Sequence, residues 1–283
     1  MTVVPVTRRA RLKAIGWAFL YLITGFGLMI GMTWLGLSLV SGASSAGSLV
    51  LQTVAGLLGF GLATWLIGIR ALGLTLQDLR WRPIPGAARG FGVGNLLGAG
   101  AAGATIGLSL MVGGASFLSD QGNLGGYASR VGLTLLLLIP AALLEELAFR
   151  GVAQVVLARA IGRLGAILLL SLGFAAAHLS NPNISPLGFA NIALAGVLLG
   201  LVFYAPGGIW TAWGVHLGWN SALAALDAPV SGLPFQIPLI DYLPGGPAWL
   251  TGAEFGPEGG MLATLTLAGA SVVAFRWSRR ESP

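Results

Sequence analysis

The chain has 283 residues, 55% hydrophobic and 8% charged, with 45 glycines, no cysteine and a formal charge of +6. Soluble domains carry about a quarter charged residues, so this composition points to a polytopic membrane protein and excludes disulfides, thiolate ligands and a cysteine nucleophile. The basic residues flank apolar runs instead of clustering among exposed aromatics, which excludes nucleic acid as a partner.

Arg8, Arg9, Arg11 and Lys13 precede an apolar stretch from Ala14 to Val40. It is about twice the length of a signal-peptide core, so it is expected to stay as the first spanning helix. After an uncharged loop, Leu49 to Ile69 forms the second span. A basic connection follows, in which Pro83 and Pro85 disfavour a continuous helix. Gly90 to Leu118 is the third span, its Gly and Ala content allowing close backbone approach. The fourth starts at Val131 and is expected to continue to Ala158; Arg159 and Arg163 then mark a turn before the fifth, Leu164 to Leu179. Leu187 to Ala205 and Ile209 to Leu226 are the sixth and seventh, and Met261 to Trp277 the eighth. Between the last two lies a Pro/Gly-rich loop, Asp227 to Gly260, whose charges are Asp227, Asp241, Glu254 and Glu258.

The expected fold is therefore all-α, a polytopic membrane helical bundle of about eight transmembrane helices in a single membrane domain, residues 1–283. Residues 14–130 supply three spans and their loops, 131–226 the core with the polar motifs, and 227–283 the acidic loop and last span. With both termini cytoplasmic, thirteen of the fifteen basic residues fall on cytoplasmic flanks, which sets the expected orientation.

The polar residues inside these spans are few. Glu145, Glu146 and Arg150 interrupt the fourth; Phe174 and His178 close the fifth; His216 and Asn220 lie within the seventh. Charges at such depth need a partner, a wet cavity or a function. Glu146 and Arg150 stand four apart and can pair, which leaves Glu145, about 100° further round, to face a cavity. Taken singly, each histidine reads as a packing residue, Asn220 as interhelical glue and Phe174 as packing. Together they read as a site. A carboxylate and an imidazole meeting at one water can deprotonate it, while a second imidazole and a carboxamide donate to an oxyanion. Alternatively, Glu145, His178 and His216 can hold a divalent metal such as zinc with a position open for water. No H-E-x-x-H, no G-x-S-G and no aspartate pair within spans is present. A different class, a non-catalytic scaffold, immunity factor or carrier, would use the same polar cluster structurally; a carrier is expected to show repeated halves, and none stands out.

The residues Glu145-Glu146-x-x-x-Arg150, Phe174-x-x-x-His178 and His216-x-x-x-Asn220 resemble the three ordered motifs of the CAAX-protease and bacteriocin-processing (CPBP, or ABI) family of membrane proteases. Flanking stretches, among them Phe149-Arg150-Gly151, Gly218-Trp219-Asn220 and Phe255-Gly-Pro-Glu258-Gly, look like its bacterial branch. The resemblance implies an intramembrane endopeptidase in which Glu145 activates water with His178, His216 and Asn220 steady the oxyanion, and Glu146, Arg150 and Phe174 support them. It implies a bacterial cytoplasmic membrane as location, with membrane lipid and a protein or peptide substrate, possibly lipidated, as partners. The cofactor is expected to be none or a divalent metal. Because Asn220 is a poor zinc ligand, the metal-free glutamate mechanism is favoured.

Overall fold

A computed structural model describes residues 7–39, 44–81, 83 and 86–279. Its long helices are α1 (Arg8–Leu39), α2 (Ser45–Ala63), α3 (Gly86–Met111), α4 (Leu124–Arg150), α5 (Val152–Ala177), α6 (Pro186–Val202) and α7 (Ile209–Ala225). A single turn, α8 (Ala248–Thr251), precedes the last long helix, α9 (Met261–Ser278). The architecture is the expected all-α membrane bundle. Five described helical stretches are long and apolar enough to cross a membrane, with α4 and α5 counted together as one stretch of 54 residues. Large apolar side chains such as Ile23, Trp34, Leu96 and Leu136 stay exposed along them, as a lipid-facing surface requires. The chain is an integral membrane protein.

Several boundaries differ from the expected ones, among them the start of α4, at Leu124 where Val131 was expected. The helix carrying the acidic pair stops at Arg150 and a new one begins at Val152, so Glu145 sits near a helix C-terminus and not at mid-helix. At Gly151 an added Cβ would lie 2.7 Å from the Leu147 carbonyl oxygen. The turn expected at Arg159 and Arg163 is present inside α5, where two helical segments meet at Gly162 with φ 80° and ψ 161°, open to glycine at little steric expense. The third span is shorter than its apolar run. α3 ends at Met111, and Ala115–Ser119 forms a strand, β1, paired antiparallel with β2 (Ile240–Pro244) in the register Ala115↔Pro244 to Ser119↔Ile240. β-branching and hydropathy cannot separate a strand from a helix in so short an apolar segment.

The chain divides into two compact units, Met1–Trp81 with Pro140–Leu170, and Arg82–Ile139 with Ser171–Pro283. In the first, α2 runs into a π-helical segment, Thr64–Ala71. Tyr21 of α1 donates to the Leu147 carbonyl (2.7 Å) and shares a hydrogen bond with Thr64 (3.2 Å). Phe26 packs edge-on against Phe60 of α2 and Phe149 of α4, with ring centroids 5.0 and 6.1 Å away. These contacts anchor the helix turn that carries Glu146 and Arg150.

In the second unit α3 and α7 pack backbone to backbone. A Cβ on Gly94 or Gly98 would collide with the carbonyl oxygens of Thr211 or Val215, and one on Gly214 or Gly218 with those of Phe91 or Asn95. Only glycine fits at those crossings, which is how small residues substitute for a hydrophobic driving force in lipid. α7 is held further by Trp213, whose indole N–H donates to Ile139 O (2.9 Å), and by Tyr127, which donates to Ala225 O (2.9 Å). α9 joins α3 through a Thr105–Thr266 hydrogen bond of 2.6 Å. Asn191 of α6 donates to the carbonyls of Glu258 and Gly260 (2.7 and 2.8 Å) and accepts from Thr264 (2.7 Å), so α6, α9 and the turn between Pro257 and Gly259 are locked together.

Candidate active site

Glu146 and Arg150 form the pair that their spacing requires. Nη1 lies 3.3 Å from Oε1, and both side chains are fully buried. The Arg150 guanidinium also stands 5.9 Å from the Phe149 ring centre. Glu145 is half-buried, on a different face of the same helix turn.

The other motif residues meet in the second unit. Phe174, His178, His216 and Asn220 line one cavity of about 40 Å³, large enough for a water molecule. Its walls are otherwise mostly apolar, including Ile192, Leu198, Leu199, Val215 and Leu267. His216 is buried on α7, at the level fixed by the glycine contacts with α3, and Asn220 follows one turn later on the same face. His178 lies just beyond the end of α5, half-buried, where the chain turns.

Phe174 is more than filler. Its ring centre is 4.7 Å from that of His178 and 5.9 Å from that of His216, so a single hydrocarbon surface orients both imidazoles. The Phe174 carbonyl also lies 2.8 Å from His178 Nδ1. A carbonyl oxygen only accepts, so Nδ1 carries the proton in this bond, and Nε2 is the basic nitrogen of the neutral ring.

Two residues the sequence left outside the site also line this cavity, Ser231 and Glu258. In sequence Glu258 looks like one more solvated loop acid; here it is 8% exposed. Its Oε1 accepts from the Trp219 indole N–H (2.8 Å), and its Oε2 accepts from the Ser231 backbone N–H. Burial raises its carboxyl above the ordinary range, against the pull of the Ser231 and Trp219 hydrogen bonds and the nearby His178. The sequence held one signal for it, the Phe255-Gly-Pro-Glu258-Gly stretch, but no spacing from the other motifs could link them.

Among the described residues no group of three or more His, Asp and Glu side chains is placed to hold a metal ion. The acid lining the cavity beside the two histidines, Glu258, accepts a hydrogen bond on each of its oxygens.

Residues 127–222, about a third of the chain, match the family model described as type II CAAX prenyl endopeptidase Rce1-like. The matched segment contains all three motifs, which bears out the resemblance to the CPBP family of membrane endopeptidases. No curated protein and no solved structure matches the chain.

Proposed function

We propose that the protein hydrolyses a peptide bond of a membrane-associated or lipidated protein or peptide, with Glu145, His178, His216 and Asn220 as the reacting groups. The observation that carries this is the cavity in which His178, His216 and Asn220 share a water-sized space with apolar walls. Glu145 joins them on the strength of the motif order within the matched segment.

In this mechanism Glu145 takes a proton from water while Nε2 of His178 accepts that water's second hydrogen as a hydrogen bond. The hydroxide oxygen attacks the scissile carbonyl carbon, and the C=O electron pair moves onto oxygen. His216 and the Asn220 carboxamide donate to that oxyanion. The C–N bond then breaks, and the proton held by Glu145 goes to the departing amine. Glu146 and Arg150, neutralised by each other, hold the helix turn behind Glu145. The Lys/Arg bias of the flanks supports cytoplasmic termini.

The test is cleavage of membrane-anchored peptides by the purified protein in proteoliposomes. Glu145→Gln, His178→Ala and His216→Ala are expected to abolish turnover in protein that remains monodisperse. Asn220→Ala should lower kcat by roughly 10²–10³, as loss of one oxyanion donor does. Wild-type turnover by Glu145→Gln would refute the assignment and favour a scaffold or carrier.

A further inference from the structure

Motif residues alone do not explain how His178 and Asn220 come to face one cavity, since they sit on separate segments. His178 lies in a turn after α5, its N–H donating to the Ala175 carbonyl (3.0 Å), and Asn220 lies on α7. The carboxylate of Glu258 connects the two. One oxygen takes the indole N–H of Trp219, the residue before Asn220. The other takes the backbone N–H of Ser231, whose own carbonyl accepts from the Asn181 side chain (2.9 Å), three residues beyond His178.

The turn that presents Ser231 is built for the purpose. Val230 and Leu233 exchange backbone hydrogen bonds of 3.0 and 2.9 Å, and the two residues between them, Ser231 and Gly232, have φ of 49° and 84°. That is the two-residue turn with both central residues left-handed, a conformation that serine adopts only when its surroundings hold it there. Here the N–H and C=O of Ser231 are both spoken for, by Glu258 and Asn181. From the other side, Asn191 clamps the backbone of Glu258 itself, so the carboxylate is fixed on a rigid support.

We propose that Glu258 is a positioning residue for this hydrolytic site, setting His178 through Ser231 and Asn181 and Asn220 through Trp219. This rests on the assignment of His178 and Asn220 as reacting groups. Its assigned part is positioning and not proton transfer, since each of its oxygens accepts a bond that ties it to Trp219 or Ser231.

The chain has two histidines, so protein labelled with ¹⁵N-histidine gives two imidazole spin systems, assigned with His178→Ala. Glu258→Gln keeps an acceptor for Trp219 but turns an amide N–H₂ toward the Ser231 N–H. The expected result has two parts. The His178 nitrogens shift while those of His216 stay, and kcat falls about tenfold or more with KM within about twofold, as a small displacement of a reacting group produces. Trp219→Phe should give a smaller loss, and the double variant should be no worse than Glu258→Gln alone, because both act through one link. An unchanged His178 spectrum overturns the proposal whatever the activity, and so does wild-type kcat beside an altered spectrum. Should Glu258→Gln not fold, Trp219→Phe decides by its kcat, with a loss at constant KM in support and wild-type turnover against. If the wild-type protein cleaves nothing, the functional assignment falls separately, and the His178 spectrum still decides whether Glu258 orients that ring.

Discussion

Arg150 and Glu146 show what a four-residue spacing can and cannot disclose. Their pairing was legible in the sequence, because residues four apart on a helix share a face and an unpaired charge in lipid is costly. Removing one partner leaves the other charge buried and uncompensated, which typically costs about 3–5 kcal/mol, whereas replacing both with apolar residues of similar volume is often near neutral. Arg150→Met should therefore lower the unfolding temperature in detergent strongly, and the double variant Glu146→Leu/Arg150→Met should recover most of the loss. Equal destabilisation by the single and double variants would mean that packing against Phe149, not charge, holds the turn. Glu258 was not legible in the same way. It lies outside any periodic segment, and its partners Trp219 and Ser231 are 39 and 27 residues away in sequence. Only tertiary structure converts such a loop acid into a buried carboxylate.

Among the helices, the pair α3 and α7 sets the tightest tolerance. Small residues in a span predicted close approach but not the partner, since glycine is frequent in every span and carries no direction. The fold supplies it: Gly98 faces the Val215 carbonyl and Gly218 the Asn95 carbonyl. Backbone cannot swing aside as a side chain can, so Gly98→Ala should force the helices apart at an overpacking penalty of about 1–3 kcal/mol. His216 and Asn220 ride on α7, so kcat should fall with stability. Gly107→Ala, on the same helix where an added methyl meets nothing within 4 Å, is the control. It should keep activity and gain up to about 1 kcal/mol from helix propensity. If both variants lose activity alike, helix packing is not what holds the site. The helix ends were the least legible feature. The break after Arg150 sits inside the stretch expected to run on to Ala158, and hydropathy is blind to it, whereas Arg159 and Arg163 marked the change of direction at Gly162.

Over the whole chain, the all-α membrane architecture followed from composition and apolar run length, quantities that average over many residues. What composition concealed was the segment between α7 and α9, which in sequence is a polar loop and in the fold is a packed element with buried Ile237, Tyr242, Phe255 and Glu258. Its acids make the stability of the protein respond to pH. Burial raises the carboxyls of both Glu258 and Asp227, the latter despite accepting the Ile237 N–H. A carboxyl with a raised folded pKa keeps its proton longer in the folded than in the unfolded state. Stability is thus greatest below the ordinary carboxylate range and declines as pH rises through the higher folded values. Thermal unfolding in detergent should show the melting temperature falling from mildly acidic to neutral pH, with a flatter profile for Glu258→Gln. A profile rising over the same window would contradict the direction of both shifts.

The benzene ring of Phe174 touches both imidazoles, and hydrocarbon cannot relay a proton. Across that contact one ring cannot rescue the other's protonation state. On the proposed assignment, a hydrogen-bond acceptor and a hydrogen-bond donor can therefore stand on either side of one ring, each answering to whatever molecule enters between them. Under that assignment the arrangement would keep two chemically identical side chains in different jobs.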